Sequence, residues 1–331
     1  MESFLLVLVV AVALGFAFTN GAHDAANAVA TSISTRALTP GIALLLAAVC
    51  NTAGAFLGEG LAAFIGSGIV DPGRGSSGLV VILGALLGAT AWNLLTWHRG
   101  LPTSSSHALI AGLAGSGLVA GTTVRWDVIL TSIVLPMVAS PVFGFVAAGL
   151  LMLALLRVLA PVPAGVVNRR FRVAQVVSGA AMALGHGLQA TQKTMGVVIL
   201  ALVAVGSLEG SGRIPLWVKL SAGLALGFGT WVGGRRIIRT LGQRLAGTDP
   251  ARGFAAEVVS ATALYVAALG LNTPISSTHT ITAAVVGAGA TRRRSAVRWD
   301  VVRAVVLGWV LTVPGAGLVA AGTTALLLHL V

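Results

Sequence analysis

The chain is apolar over long stretches, and short polar clusters interrupt them at recurring places. The first apolar run covers about residues 3–35 and is crossed by Thr19-Asn20-Gly21-Ala22-His23-Asp24-Ala25-Ala26-Asn27. One straight membrane-spanning helix needs only about 20 residues. Glycine beside Asn, His and Asp in mid-run therefore predicts a broken helix, which a bilayer tolerates only where it lines a cavity. Arg36 and Pro40 end the run, and a second helix is expected to about Phe64, with Asn51 and Glu59 inside it. After a Gly-rich loop, residues 66–77, two apolar arms flank Pro102-Thr103-Ser104-Ser105-Ser106-His107. Residues 126–159 form a long apolar segment bent by Pro136 and Pro141,. A basic loop, residues 161–172, closes this half.

The second half repeats the plan. Residues 173–204 are apolar and interrupted by His186-Gly187-Leu188-Gln189-Ala190-Thr191-Gln192-Lys193. A loop, a helix to about Val232 and a basic loop, residues 235–252, come next. Two arms then flank Pro274-Ile275-Ser276-Ser277-Thr278-His279, and the last helix, residues 299–330, is bent at Pro314. Pro102, Ser105 and His107 correspond to Pro274, Ser277 and His279; Val124-Arg125-Trp126-Asp127 recurs as Val297-Arg298-Trp299-Asp300; Asn20-Gly21 aligns with His186-Gly187. The pattern predicts an all-α polytopic membrane protein of two repeats, residues 1–160 and 173–331, joined by a basic cytoplasmic linker, residues 161–172. Counting hairpin arms, about 10–12 membrane helices are expected.

Parity orients it. A broken span, a second span, a hairpin and a long tilted span make an odd number of crossings, so the repeats are inverted. Placing Arg169, Arg170 and Arg172 in the cytoplasm also puts Arg36, residues 235–252 and Arg292–Arg294 there,. The Asp71/Arg74 and Glu209/Arg213 loops and both termini then lie outside.

Composition narrows the class. Of 331 residues, 56% are hydrophobic and 9% charged, against roughly 25% charged in soluble domains. The net charge of +12 sits in short gaps between apolar runs, which reads as topology signals and not as a nucleic-acid surface. Cys50 is the one cysteine, so no internal disulfide or cysteine metal site exists,. The N-terminus lacks a basic leader and reads as a first membrane helix, not a cleaved signal.

The two hydroxyl-rich stretches carry the chemistry. A helix N-terminus presents unpaired N–H groups and a partial positive charge, and Ser and Thr hydroxyls add donors without fixed charge. Together they favour an oxyanion such as phosphate or sulfate. If both hairpins are re-entrant, the tips meet and enclose one anion. Its candidate ligands are Ser104, Ser105, Ser106, His107, Ser276, Ser277, Thr278 and His279. The bland alternative is capping and helix packing. Asp24, an acid in an apolar helix, is the strongest single candidate. With Asn20 and Asn27 it offers oxygen ligands to Na⁺ or carries a proton; pairing with Lys193 is the alternative. Gln189, Gln192 and Lys193 occupy the matching stretch and join Asn20, Asp24 and Asn27 as candidate coupling-ion or gating residues. Glu59 and Glu257 are weaker, Glu257 being expected near an interface. The paired Arg-Trp-Asp units read as interfacial anchors.

These motifs, Asn20 to Ala28, His186-Gly187 with Gln192-Lys193-Thr194-Met195-Gly196, and the two hydroxyl stretches, resemble the inorganic phosphate transporter family over nearly the whole chain. The resemblance implies a phosphate symporter driven by H⁺ or Na⁺ in a bacterial cytoplasmic membrane, working as a homodimer by alternating access. Phosphate would lie between the tips and the coupling cation near the Asn/Asp motifs, with no cofactor. One departure stands out: Gln189 and Ala190 occupy the family's Asn and Asp positions, so a symmetric pair of Na⁺ sites is not expected. Sulfate or a metal–phosphate complex is the alternative cargo. An intramembrane hydrolase using Ser105 or Ser106 with His107 and Asp24 is a remote one, because residues one or two apart on a helix point to different faces.

Overall fold

The computed structural model describes residues 1–208, 213–245, 247–292 and 294–330. Glu209 and Arg293, used above for orientation, lie outside the described residues. The first half runs α1 (Glu2–Ser34), α2 (Pro40–Gly54), α3 (Gly60–Gly68), α4 (Gly75–Arg99), α5 (Ser105–Val119) and α6 (Trp126–Val158). The second runs α7 (Ala164–Ala204), α8 (Leu216–Val232), α9 (Arg235–Arg239), α10 (Pro250–Gly270), α11 (Ser277–Ala290) and α12 (Trp299–Leu328). A two-residue antiparallel pairing, Val70–Asp71 with Thr123–Val124, ties the α3–α4 loop to the α5–α6 loop.

The order of long helix, two short helices, hairpin arm, capped half-helix and long outer helix occurs twice. Packing crosses between the halves in matching fashion: α1 lies on α8 and α7 on α2, while α5 lies on α12 and α11 on α6. Among the described residues, six helices, α1, α4, α6, α7, α10 and α12, are long and apolar enough to cross a membrane. The apolar stretch of α7 is 89% buried, against 22% in α6 and 28% in α12. Thus α7 is the central column, and α6 and α12 present apolar side chains such as Leu135, Val142, Leu307 and Val310 outward. The capped half-helices α5 and α11 have 15 and 14 residues. That is about 22 Å at 1.5 Å per residue, short of the ~30 Å hydrocarbon core.

Several sequence expectations change here. Neither α1 nor α7 is broken: both run as continuous helices through their polar clusters. The motif glycines serve close approach instead. A Cβ on Gly21 would sit 2.1 Å from the Leu226 carbonyl oxygen of α8, and one on Gly187 2.3 Å from that of Asn51 on α2. Equivalent glycines thus make equivalent backbone contacts in the two halves. The expected helix to Phe64 is split, with Gly54 ending α2 and Glu59 at the start of α3. The linker is largely helical, because nothing after Pro163 breaks the chain; Arg169, Arg170 and Arg172 ride on the first turns of α7. The stretch expected as a second basic loop holds α9, a π-helical turn over Thr240–Arg244 and the start of α10. Pro136 lacks an N–H and crowds the preceding turn, and a π-helical turn, Ile129–Val134, lies immediately before it,.

Candidate functional site

The two tips are built alike. Each stretch is extended up to a serine, Ser104 or Ser276, whose hydroxyl accepts the backbone N–H three residues on: His107 at 3.2 Å and His279 at 3.1 Å. Both serines are therefore N-caps, and each cap fixes how its helix enters the centre. The next two hydroxyls on each tip reach the central helices. Ser105 Oγ donates to Asp24 Oδ2 at 3.1 Å, and Thr278 Oγ1 donates to Asp24 Oδ1 at 3.2 Å. One carboxylate on α1 thus receives a hydroxyl from each half.

Neighbouring polar groups complete the cluster. Asn27 Nδ2 donates to Thr278 Oγ1 at 2.9 Å and to Ser277 Oγ at 3.4 Å. His186 Nδ1 lies 2.9 Å from Ser277 Oγ. Lys193 Nζ donates to Ser106 Oγ, and Ser106 Oγ lies 3.5 Å from the Ile275 carbonyl oxygen of the other tip. Asn20, Asp24 and Asn27 are spaced four and three residues apart, one face of α1. His186 and Lys193, seven apart, share a face of α7. Asp24 and Lys193 are each 2% exposed, so the arrangement is closed to solvent.

Asp24 and Lys193 form no direct ion pair among the described residues; the ammonium goes to Ser106 and the carboxylate to His23, Ser105 and Thr278. Gln192 Oε1 accepts from Leu61 N at 2.9 Å and Ala62 N at 3.2 Å, capping α3. Gln189 braces the second tip through the Thr273 carbonyl at 3.4 Å and Ile275 N at 3.5 Å. His107 and His279 stack on each other, centroids 4.7 Å apart, and His279 stacks on Trp309 at 3.9 Å. Trp309 Nε1 also holds the Pro102 carbonyl at 2.8 Å, so α12 of one half steadies the tip of the other. Several buried atoms in this region have no partner among the described residues: both amide atoms of Asn20, Asn27 Oδ1, His186 Nε2, His107 Nδ1 and His279 Nε2. Unpaired polar atoms inside a bilayer cost several kcal/mol each, and their gathering around two hydroxyl-bearing helix N-termini fits a site for a polar ligand.

Sequence reasoning gave two polar groups no role, or a wrong one. His23 sits beside Asp24, its Nδ1 2.7 Å from Oδ1, and its place in an apolar helix next to an acid was the available signal. Glu257 is not interfacial: it is 0% exposed and receives hydrogen bonds from Thr31, Ser32, Ser178 and Gln175. These donors come from α1 and α7, distant in sequence, so no local motif could reveal them. Glu257→Ala leaves them facing a void, and each stranded buried donor costs about 1–3 kcal/mol. Thermal unfolding in detergent is expected to show a clear drop in Tm for Glu257→Ala and a smaller one for Glu257→Gln.

The profile of the phosphate transporter family matches residues 20–320. A Rhizobium meliloti (strain 1021) protein named "Probable low-affinity inorganic phosphate transporter" is 44% identical over 320 residues, covering 96% of this chain and 95% of that one. A Bacillus subtilis (strain 168) protein of the same name is 38% identical over 311 residues, covering 94% and 93%. Among solved structures, "The sodium-dependent phosphate transporter" superposes with a TM-score of 0.86 over 99% of this chain and 100% of that one, at 23% identity. At that identity the likeness speaks to fold alone. The hydrolase alternative also fails on geometry, since Ser105 and Ser106 pair with Asp24, Lys193 and Ile275 and not with the His107 ring. With six membrane-length helices among its described residues, the chain is an integral membrane protein, a transporter and not an enzyme, and it belongs to the phosphate transporter family.

Proposed function

We propose that the chain imports inorganic phosphate together with a cation by alternating access, with the anion held between the two tips of an inverted repeat. The observation that carries this reading is the meeting of Ser105 and Thr278, one from each half, on the single carboxylate of Asp24.

That geometry supplies a coupling rule. An anionic Asp24 accepts both hydroxyls and repels a phosphate placed beside it. At about 5 Å and an effective dielectric of about 20, two like charges repel by about 3 kcal/mol, roughly a hundredfold in affinity. A cation on Asp24 removes the repulsion and frees the hydroxyls to turn toward phosphate. Lys193, bonded to Ser106, supplies a fixed positive charge. Ser105, Ser106, Ser277 and Thr278 then donate to the phosphate oxygens, and the tip N–H groups add the helix dipole. Loaded with both ions, the cluster is neutral enough for the tips to move past α1 and α7; loaded with one, it is not. The basic ends of α7 and α9 face the cytoplasm in this reading, and both termini lie outside.

Replacing Ser105 or Ser277 with Ala removes one donor. A net loss of about 0.5–1.5 kcal/mol per hydrogen bond predicts an apparent KM for phosphate raised about two- to tenfold by each. The function is tested by labelled phosphate uptake into proteoliposomes with an imposed cation gradient. Accumulation above equilibrium that collapses with an ionophore is expected; uptake that only equilibrates under every gradient would show a facilitator and not a symporter.

A further inference from the structure

We propose that the chain carries a site for one anionic phospholipid where its two halves join, with Arg252 holding the headgroup phosphate and the end of α6 holding an acyl chain. Three helix ends meet there: the last turns of α6, the first turns of α7 after the joint at residues 159–163, and the start of α10. α10 packs on both α6 and α7, yet a cavity of about 240 Å³ remains between them. Its lining is divided. Met152, Leu156 and Val167 make an apolar wall, and Asn168, Asp249 and Arg252 make a polar end.

Arg252 is the group that calls for a ligand. It sits in the first turn of α10 and is 7% exposed. Asp249 Oδ1 accepts the Arg252 backbone N–H at 3.0 Å, capping the helix, and Oδ2 accepts from the guanidinium. Nε is buried with no partner among the described residues. A guanidinium presents a fork of donors matched to phosphate geometry, and Asp249 leaves part of that fork unused. A buried donor on a charged group is costly to leave unpaired. The Asp249 side chain is 39% exposed against 9% for that of Arg252, so solvent screens the carboxylate far more than the guanidinium.

Charge and medium fix the class of ligand. Arg157 lies in the last turn of α6, and Arg169, Arg170 and Arg172 ride on the first turns of α7, with no acidic residue between positions 151 and 172. Basic pockets between membrane helices favour anionic headgroups. The apolar wall argues against a free ion as the whole occupant. Leu153 and Leu156 are exposed on the outward face of α6, a helix of membrane length, so hydrocarbon lies beside the cavity. Sites that enclose a whole small molecule measure about 300–1,000 Å³; this smaller one takes part of a larger molecule. A phospholipid meets each condition, with its phosphate on Arg252 and Asn168 and one chain along Met152 and Leu156. The consequence is mechanical. The lipid ties α6 and α7, on either side of the joint, to α10, the arm that leads to the second tip.

The test titrates purified protein with phosphatidylglycerol, with phosphatidylcholine of the same chains and with inorganic phosphate, counting bound lipid by native mass spectrometry. Wild type is expected to retain one phosphatidylglycerol at least about tenfold more tightly than phosphatidylcholine, and inorganic phosphate is expected not to displace it. Arg252→Gln keeps the backbone N–H that Asp249 caps and is expected to weaken phosphatidylglycerol retention at least about tenfold, through loss of a charge-assisted bond. Leu156→Trp fills the apolar side and is expected to weaken it by a similar factor. Equal retention of the two lipids, displacement by inorganic phosphate, or phosphatidylglycerol retention unchanged in either variant overturns the proposal. A variant that changes the mass of the assembly and not its lipid content assigns the cavity to a second copy of the chain and overturns it too. If Arg252→Gln does not fold, Leu156→Trp and the comparison of lipids decide. None of these readouts uses transport, so the phosphate reading stands or falls separately.

Discussion

Asp24→Asn abolishes concentrative phosphate uptake. The amide keeps the size of the side chain but carries neither the negative charge nor the ability to take up a cation. Two hydroxyl bonds to an ionised carboxylate, from Ser105 and Thr278, become bonds to a neutral carbonyl or face an NH₂ group. Hydrogen bonds to charged groups are worth about 1.5–3 kcal/mol against about 1 for neutral ones. The larger effect is on coupling. A permanently neutral residue 24 permits phosphate to bind and move with no cation aboard, so gradient-driven accumulation falls to the equilibrium level. Accumulation ratios in proteoliposomes measure this. A mutant that accumulated phosphate as wild type does would remove Asp24 from coupling.

Lys193→Met weakens phosphate binding more than any single hydroxyl variant. Lys193 is 2% exposed, lies on the central column and reaches the first tip through Ser106. Methionine retains most of the stem and its packing, so the loss is the ammonium. Truncating one member of a buried, hydrogen-bonded charge interaction costs about 2–5 kcal/mol, which corresponds to about 30-fold or more in apparent affinity. Phosphate dependence of initial uptake rates reports it. An apparent KM within about twofold of wild type would mean that the ammonium does not face the anion.

Much of this was legible in the sequence, and the failures have physical causes. The hydroxyl stretches could be paired because they recur with Pro102 and Pro274 ahead of them and His107 and His279 behind. Asp24 stood out because an acid inside an apolar helix is costly. Gly21 and Gly187 were misread because a glycine that breaks a helix and one that admits another backbone look alike in one dimension; only the Leu226 and Asn51 carbonyls beside them separate the cases. The repeat set Lys193 near the position matching Asp24 in the other half but could not say which hydroxyl each would meet. Gln192 joined the coupling candidates through its neighbours in the motif, and the bonds by which its carbonyl caps α3 could not be read from that motif. Glu257 was misjudged because its partners Thr31, Ser32, Gln175 and Ser178 lie on α1 and α7, brought together by tertiary packing alone.

The central claim is that both tips grip one anion. Equilibrium binding of labelled phosphate to purified wild type, Ser105→Ala, Ser277→Ala and the double variant tests it most directly. One phosphate per chain is expected, with each single variant weaker and the two losses non-additive, because both hydroxyls address the same ion. Two phosphates per chain, or Ser277→Ala binding as tightly as wild type, would contradict it.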